Sequence, residues 1–135
     1  MSGSSPKTLV RVDDFPLPSR ANIRGILASA ALMYASARPS LLEPGSVLHD
    51  RLLAGRAQAT SVSRWAQLGL FYFLFGAHTL EMLGFAYVRL RRHGVPIFSV
   101  LGFKWLLSVF VGGQYAWAHF DEVVAKKAIA GGRAR

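Results

Sequence analysis

Two long apolar runs bounded by basic residues dominate the polarity pattern of this chain. The first, 65–88, lies between Arg64 and Arg89 and reads WAQLGLFYFLFGAHTLEMLGFAYV; the second, 95–118, reads VPIFSVLGFKWLLSVFVGGQYAWA. About 20 apolar residues carry a helix across roughly 30 Å of hydrocarbon, so each run predicts a transmembrane helix. Pro96 falls in the first turn of the second run, where its missing N–H costs nothing. The short basic stretch RLRRHG joins the two runs, which predicts an antiparallel hairpin. Trp65 begins the first run and Tyr115 and Trp117 end the second, as an aromatic belt on one membrane surface requires.

An earlier run, 25–37, is uncharged between Arg24 and Arg38 but offers only about 20 Å of helix. It predicts a first span over about 21–38, with both arginines reaching outward to the interface; a helix lying in the interface is disfavoured because the segment has no charged face. The expected organisation is therefore all-α: a flexible N-terminal segment (1–20), a transmembrane domain (21–118) with spans at about 21–38, 65–88 and 95–118, and a basic C-terminal tail (119–135). The connector, 39–64, opens with the turn signal Pro44-Gly45, and Ser46 is placed to cap a short surface helix carrying Leu48 and Leu52.

Composition supports this reading. Charged residues make up 17% of the chain, against about 25% for an ordinary soluble domain. A formal net charge of +9 raises the possibility of a nucleic-acid partner. The basic residues, however, flank apolar runs instead of forming one face, which argues against nucleic acid and for a membrane. With no cysteine, disulfides, thiolate nucleophiles and sulfur-ligated metals are excluded. Arg89, Arg91 and Arg92 form the densest basic cluster beside a span, so the RLRRHG turn is assigned to the cytoplasmic side, with anionic-lipid anchoring as its sharper reading. The expected membrane is the endoplasmic reticulum or a related endomembrane, with a mitochondrial membrane as the alternative.

The residues that call for explanation are ionisable groups inside the runs. His78 and Glu81 are spaced i, i+3, one helical turn apart. In an antiparallel hairpin Lys104 falls at nearly the depth of Glu81, and Ser108 near that of His78, so the four predict an intramembrane polar cluster. Its plain role is a structural lock; its sharper one is a proton, headgroup or small-ligand site, since charges in lipid cost about 2.5–3.5 kcal/mol at mid-span. Small residues Gly69, Gly76, Ala77 and Gly84 on the first run, and Gly112 and Gly113 on the second, are candidate helix-packing positions. One carboxylate and one imidazole fall short of a metal set, and His49, His93 and His119 sit at or beyond span ends, where solvent is expected. No catalytic residue, metal or cofactor is assigned.

His78-x-x-Glu81, the basic turn closed by Gly94, Trp105, and Gly113 eight residues later together resemble the transmembrane protein 254-like family of small eukaryotic multi-span membrane proteins. The resemblance runs from Ala66 to about Lys127 and does not include Lys104. It implies a multi-span helical membrane protein and no particular activity. No nucleophile and base, and no paired carboxylates, stand at a workable spacing. The expectation is thus a non-catalytic accessory or scaffold subunit that meets membrane lipids and a membrane-protein partner or a second copy of itself. The alternative is a small membrane enzyme or a lipid- or cofactor-binding protein using His78 and Glu81.

Overall fold

Ser19 starts the first helix by accepting a hydrogen bond from the Asn22 N–H at 3.3 Å, which satisfies one of the donors that every helix N-terminus leaves open. In the computed structural model, which describes residues 9–133, this helix, α1, spans Arg20–Ser36 and stops before Pro39, whose ring and missing N–H forbid continuation. A 3₁₀ turn (Pro39–Leu42) and a single wide turn (His49–Leu53) form the connector, and Ser46 Oγ accepts from the His49 N–H at 3.1 Å. The second helix, α2 (Ala57–Phe85), continues through a wide turn to Leu90. The third, α3 (Val100–Gly112), is capped by Ser99, whose Oγ accepts from the Gly102 N–H at 2.9 Å. The fourth, α4, runs Gln114–Arg133. The described residues contain no strand, and the fold is all-α.

Of the described helices, Ala57–Leu90 is the one long and apolar enough to cross a membrane, and only 11% of its apolar window is buried. The second expected run, 95–118, is not one helix. Residues 95–99 are an irregular entry, and the helix that follows ends at Gly113, whose φ of 52° lies in the left-handed region. There the chain reverses and α4 returns alongside α3. The Trp105 ring of α3 lies 5.1 Å from His119 and 4.8 Å from Phe120 of α4. Further along α4, Asp121 reaches Arg89 at the top of α2. Two half-length helices thus stand where one long helix was expected, and their common tip lies beside the middle of α2.

The core sits at the end of the molecule where the α2–α3 turn, the outer part of α4 and the N-terminal segment meet. Phe85, Leu90, Trp105, Val109, Ala116 and Phe120 are wholly buried there. Residues 9–19 are not a free tail: Val12 is buried in this core, and Phe15 packs on Trp105 with ring centroids 4.5 Å apart. Backbone bonds finish the attachment, with the Val12 N–H donating to His93 O at 3.1 Å. The flexible N-terminus expected over 1–20 is therefore corrected for residues 9–19; residues 1–8 lie outside the described residues. The basic C-terminal segment is helical as far as Arg133. The opposite end is different in kind. Trp65, Tyr72 and Phe73 of α2 are all exposed.

Candidate functional site

The tip of the α3–α4 hairpin creates a problem that His78 solves. A helix leaves its last carbonyls without partners, and α3 ends inside the bundle. The His78 imidazole, buried on α2, donates through Nδ1–H to Phe110 O at 2.6 Å. A carbonyl only accepts, so this contact fixes the tautomer of the neutral ring and leaves Nε2 with a lone pair. One turn further along α2, Glu81 turns its carboxylate to the same place. Its Oε2 is buried and has no hydrogen-bond partner.

Both atoms converge on Gly113. A β-carbon on that residue would stand 2.7 Å from Glu81 Oε2 and 3.0 Å from His78 Nε2, so the position demands glycine twice, for its left-handed backbone and for the space. Gly113 immediately precedes α4, which sets the carboxylate beside the positive end of that helix dipole. Close contacts with α1 hold the tip from the other side. Gly112 leaves room for Ile26, where a β-carbon would come within 2.6 Å of its side chain, and Gly25 makes room for the Tyr115 ring.

Of the four residues expected to cluster, the structure brings His78 and Glu81 together and leaves the other two apart. Lys104 is exposed on α3, and the described residues contain no ion pair between it and Glu81. The reason is the break at Gly113: a folded-back hairpin needs its inner face for α4, which turns Lys104 outward. Ser108 is half-buried and is not the imidazole's partner, because Phe110 O takes that place. Among the small residues, Gly112 and Gly113 lie at close contacts, Gly84 touches Trp117 at an ordinary 3.9 Å, and Ala77 is half-buried. Gly69 and Gly76 face open space.

At the basic turn, Arg89 donates to Asp121 at 3.1 Å and stacks over Trp117, while Arg91 lies over Tyr87 and Arg92 is exposed. The arginines are thus divided between an internal tie and an outward charge. His93 and His119, expected in solvent, are buried instead. His93 Nδ1 donates to Val10 O at 2.7 Å and His119 Nε2 to Pro16 O at 2.9 Å, so both hold the N-terminal segment. His49 pairs with Asp50 in the connector. Lys127 reaches Asp13 at 2.5 Å and Asp14 at 3.1 Å. Hydrogen bonding to Lys127 holds the Asp13 carboxyl below its ordinary range, and Asp13 and Asp14 together push the Lys127 ammonium up.

Other features had no signal in the sequence. Asn22 donates to Glu122 at 2.9 Å, joining α1 to α4. Gln67 donates to both Ala35 O and Arg38 O, at 2.7 and 2.8 Å, and so closes the C-terminal end of α1. Trp105 is fully buried with its indole N–H unpartnered. One imidazole and one carboxylate meet at the hairpin tip, and no group of three or more metal-ligating side chains assembles among the described residues. Comparison of the chain with protein-family models, curated proteins and solved structures gives no match.

Proposed function

We propose that this chain is a small multi-pass integral membrane protein that serves as a non-catalytic accessory or scaffold subunit of a larger membrane complex. The observation that carries this reading is the outward-facing apolar surface of α2. A core helix of a water-soluble protein buries its apolar side chains, whereas here Trp65, Tyr72, Phe73, Leu80, Leu83 and Tyr87 all look away from the chain's own core. Lipid, a membrane-protein partner or a second copy of the chain satisfies such a surface; water does not.

In this reading α1 and α2 cross the bilayer in opposite directions. The α3–α4 hairpin replaces the third span as a re-entrant element, entering and leaving on the side of the basic turn. Non-helical backbone at membrane depth is tolerated where protein buries it, and Gly113, enclosed by α2 and by the α1 contacts of its neighbour Gly112, meets that condition. The basic turn faces the cytoplasm, with Arg91 and Arg92 at the headgroups of an endomembrane such as the endoplasmic reticulum. A second reading, a membrane enzyme or ligand-binding protein built on His78 and Glu81, draws its support from the convergence of those two side chains on Gly113.

Glycosylation-acceptor mapping in microsomes tests the arrangement. Sites placed in the connector (43–55) and in the C-terminal end of α4 are expected on opposite sides of the membrane, with the 91–97 turn on the same side as α4. A turn and a C-terminus on opposite sides restore three full spans. A photoreactive group at Phe73 tests the subunit role: a discrete protein adduct that is absent from the same group at Phe85 supports it, and lipid adducts alone at Phe73 overturn it.

A further inference from the structure

At the end of the molecule away from the basic turn, the C-terminal end of α1, the 3₁₀ turn and α2 border a cleft of about 420 Å³, within the size range of small-ligand sites. Its polar side chains are of two kinds. Two are spent on holding the walls: Ser36 Oγ donates to Met33 O at 2.8 Å, and Gln67 reaches from α2 to Ala35 O and Arg38 O. The other two, Glu43 and Arg64, are opposite charges lining the same cleft, yet neither belongs to an ion pair among the described residues. Arg38, just beyond α1, is held by the Tyr34 hydroxyl.

Past the charges the lining turns apolar. Arg64, Leu68 and Phe71 stand at i, i+4 and i+7 on α2 and so form one stripe, on which Phe71 lies about 10 Å further along the helix than Arg64. With α2 across the bilayer, that is a charged rim at the interface followed by an apolar wall leading inward. A phospholipid presents its headgroup and its chain in the same order.

We propose that this cleft binds a phospholipid whose headgroup carries a primary ammonium, phosphatidylethanolamine being the simplest. Arg64 takes the phosphate, Glu43 the ammonium, and Leu68 and Phe71 the start of one acyl chain. The guanidinium fork matches phosphate oxygens. A primary ammonium has N–H groups to donate to the Glu43 carboxylate, whereas a quaternary ammonium has none and is recognised by cages of aromatic rings. Phe71 is the one aromatic side chain lining the cleft among the described residues, and one ring makes no cage. The rest of the lipid lies along the exposed N-terminal half of α2. This site rests on the membrane placement proposed above, and it goes beyond the subunit reading by assigning that end of the chain a ligand.

Native mass spectrometry of the full-length chain, released from detergent micelles containing dioleoyl phosphatidylethanolamine, phosphatidylcholine or phosphatidylglycerol at equal concentration, tests the site. Phosphatidylethanolamine is expected to be retained about tenfold more tightly than either of the others, the scale of one charge-assisted hydrogen bond. Arg64→Gln weakens its retention about tenfold, and Glu43→Gln brings phosphatidylethanolamine and phosphatidylcholine to the same affinity. Arg51→Gln, in the connector and outside the cleft, changes nothing. All three positions are exposed, so the variants are expected to melt as the wild type does; should one fail to fold, the selectivity of the wild type still decides. Three results overturn the proposal: equal retention of the three lipids, an Arg51→Gln loss as large as that of Arg64→Gln, or glycerophosphoethanolamine, which has no chains, binding as tightly as the lipid. Carbonate extraction separates this failure from that of the membrane placement. A chain that stays in carbonate-washed membranes without lipid selectivity overturns the site alone, and a chain that washes out overturns both.

Discussion

The two halves of α2 are built from similar residues and serve opposite purposes. Near its N-terminal end, Trp65, Tyr72 and Phe73 are exposed; past its middle, His78, Phe85 and, at the end of the wide turn, Leu90 are buried against α3, α4 and the N-terminal segment. Phe73 and Phe85 are the same residue type on one helix, yet one is 69% exposed and the other 0%. What a phenylalanine contributes is decided by what faces it. On the inner side of the second half the fold supplies its own apolar surroundings; in the first half, and on the outer side of the second, where Leu80 and Leu83 are exposed, the surroundings come from outside the chain.

The sharpest way to break this comparison is to remove a large side chain from each half. Trp105→Ala, opposite Phe85, is expected to lower stability by about 3–5 kcal/mol, whereas Phe73→Ala stays within about 0.5 kcal/mol; denaturation in detergent micelles measures both. Equal losses would mean that Phe73 itself has a packing partner within the chain. A charge separates the halves differently. Phe73→Asp leaves the aromatic core untouched but costs about 2.5–3.5 kcal/mol of membrane insertion, read as the fraction of newly made protein resistant to carbonate extraction. Undiminished insertion removes this face from lipid.

At the boundary between the halves, Gly113→Ala forces a side chain into left-handed backbone, a strain of about 1–3 kcal/mol, and pushes against Glu81 and His78. The expected outcome is a loss of stability near the upper part of that range, whereas Gly76→Ala, with open space around it, is expected to cost nothing in the same melt. The smallest effect lies at the N-terminal attachment. The folded-state value of Asp13 is depressed, so its tie to Lys127 contributes fully above the ordinary carboxylate range and is lost as pH falls through the depressed value. Lys127 is raised, so its contribution lasts into alkaline pH and fades only above the ordinary lysine value. Protection of the Val12 N–H, measured against the exchange rate of the unfolded chain at the same pH, is therefore expected to fall modestly in acid, and Lys127→Met should abolish that acid response.

The sequence revealed the helical class, the long apolar α2 and the His78–Glu81 spacing, because each is written within a few turns of one helix. It did not reveal the break at Gly113. A glycine pair inside an apolar run reads equally well as helix packing, and the reversal depends on His78 covering Phe110 O and on Gly25 admitting Tyr115, both long-range facts. The signal that was present lies just beyond, where Asp121, Glu122, Lys126 and Lys127 stud the continuing helix and suit a segment leaving the bilayer. His93 and His119 were unreadable for the same reason: their partners, Val10 O and Pro16 O, lie 83 and 103 residues away along the chain. Lys104 was paired with Glu81 on depth alone, and depth does not say which way a helix face turns.

The attachment of residues 9–19 also has a consequence for the order of events during synthesis. This segment leaves the ribosome before the helices it packs on, and the His93 carbonyl, the His119 ring and the Lys127 ammonium that hold it all follow residue 90. Val12 and Phe15 therefore wait at least until His93 and Trp105 are made, and the ties to His119 and Lys127 wait for α4. A nascent chain stalled or truncated before residue 119 carries an open aromatic core, with Trp105 and Phe85 lacking their lid. Full attachment of the N-terminal segment thus requires α4, and its protection from protease is expected to distinguish a finished molecule from an unfinished one.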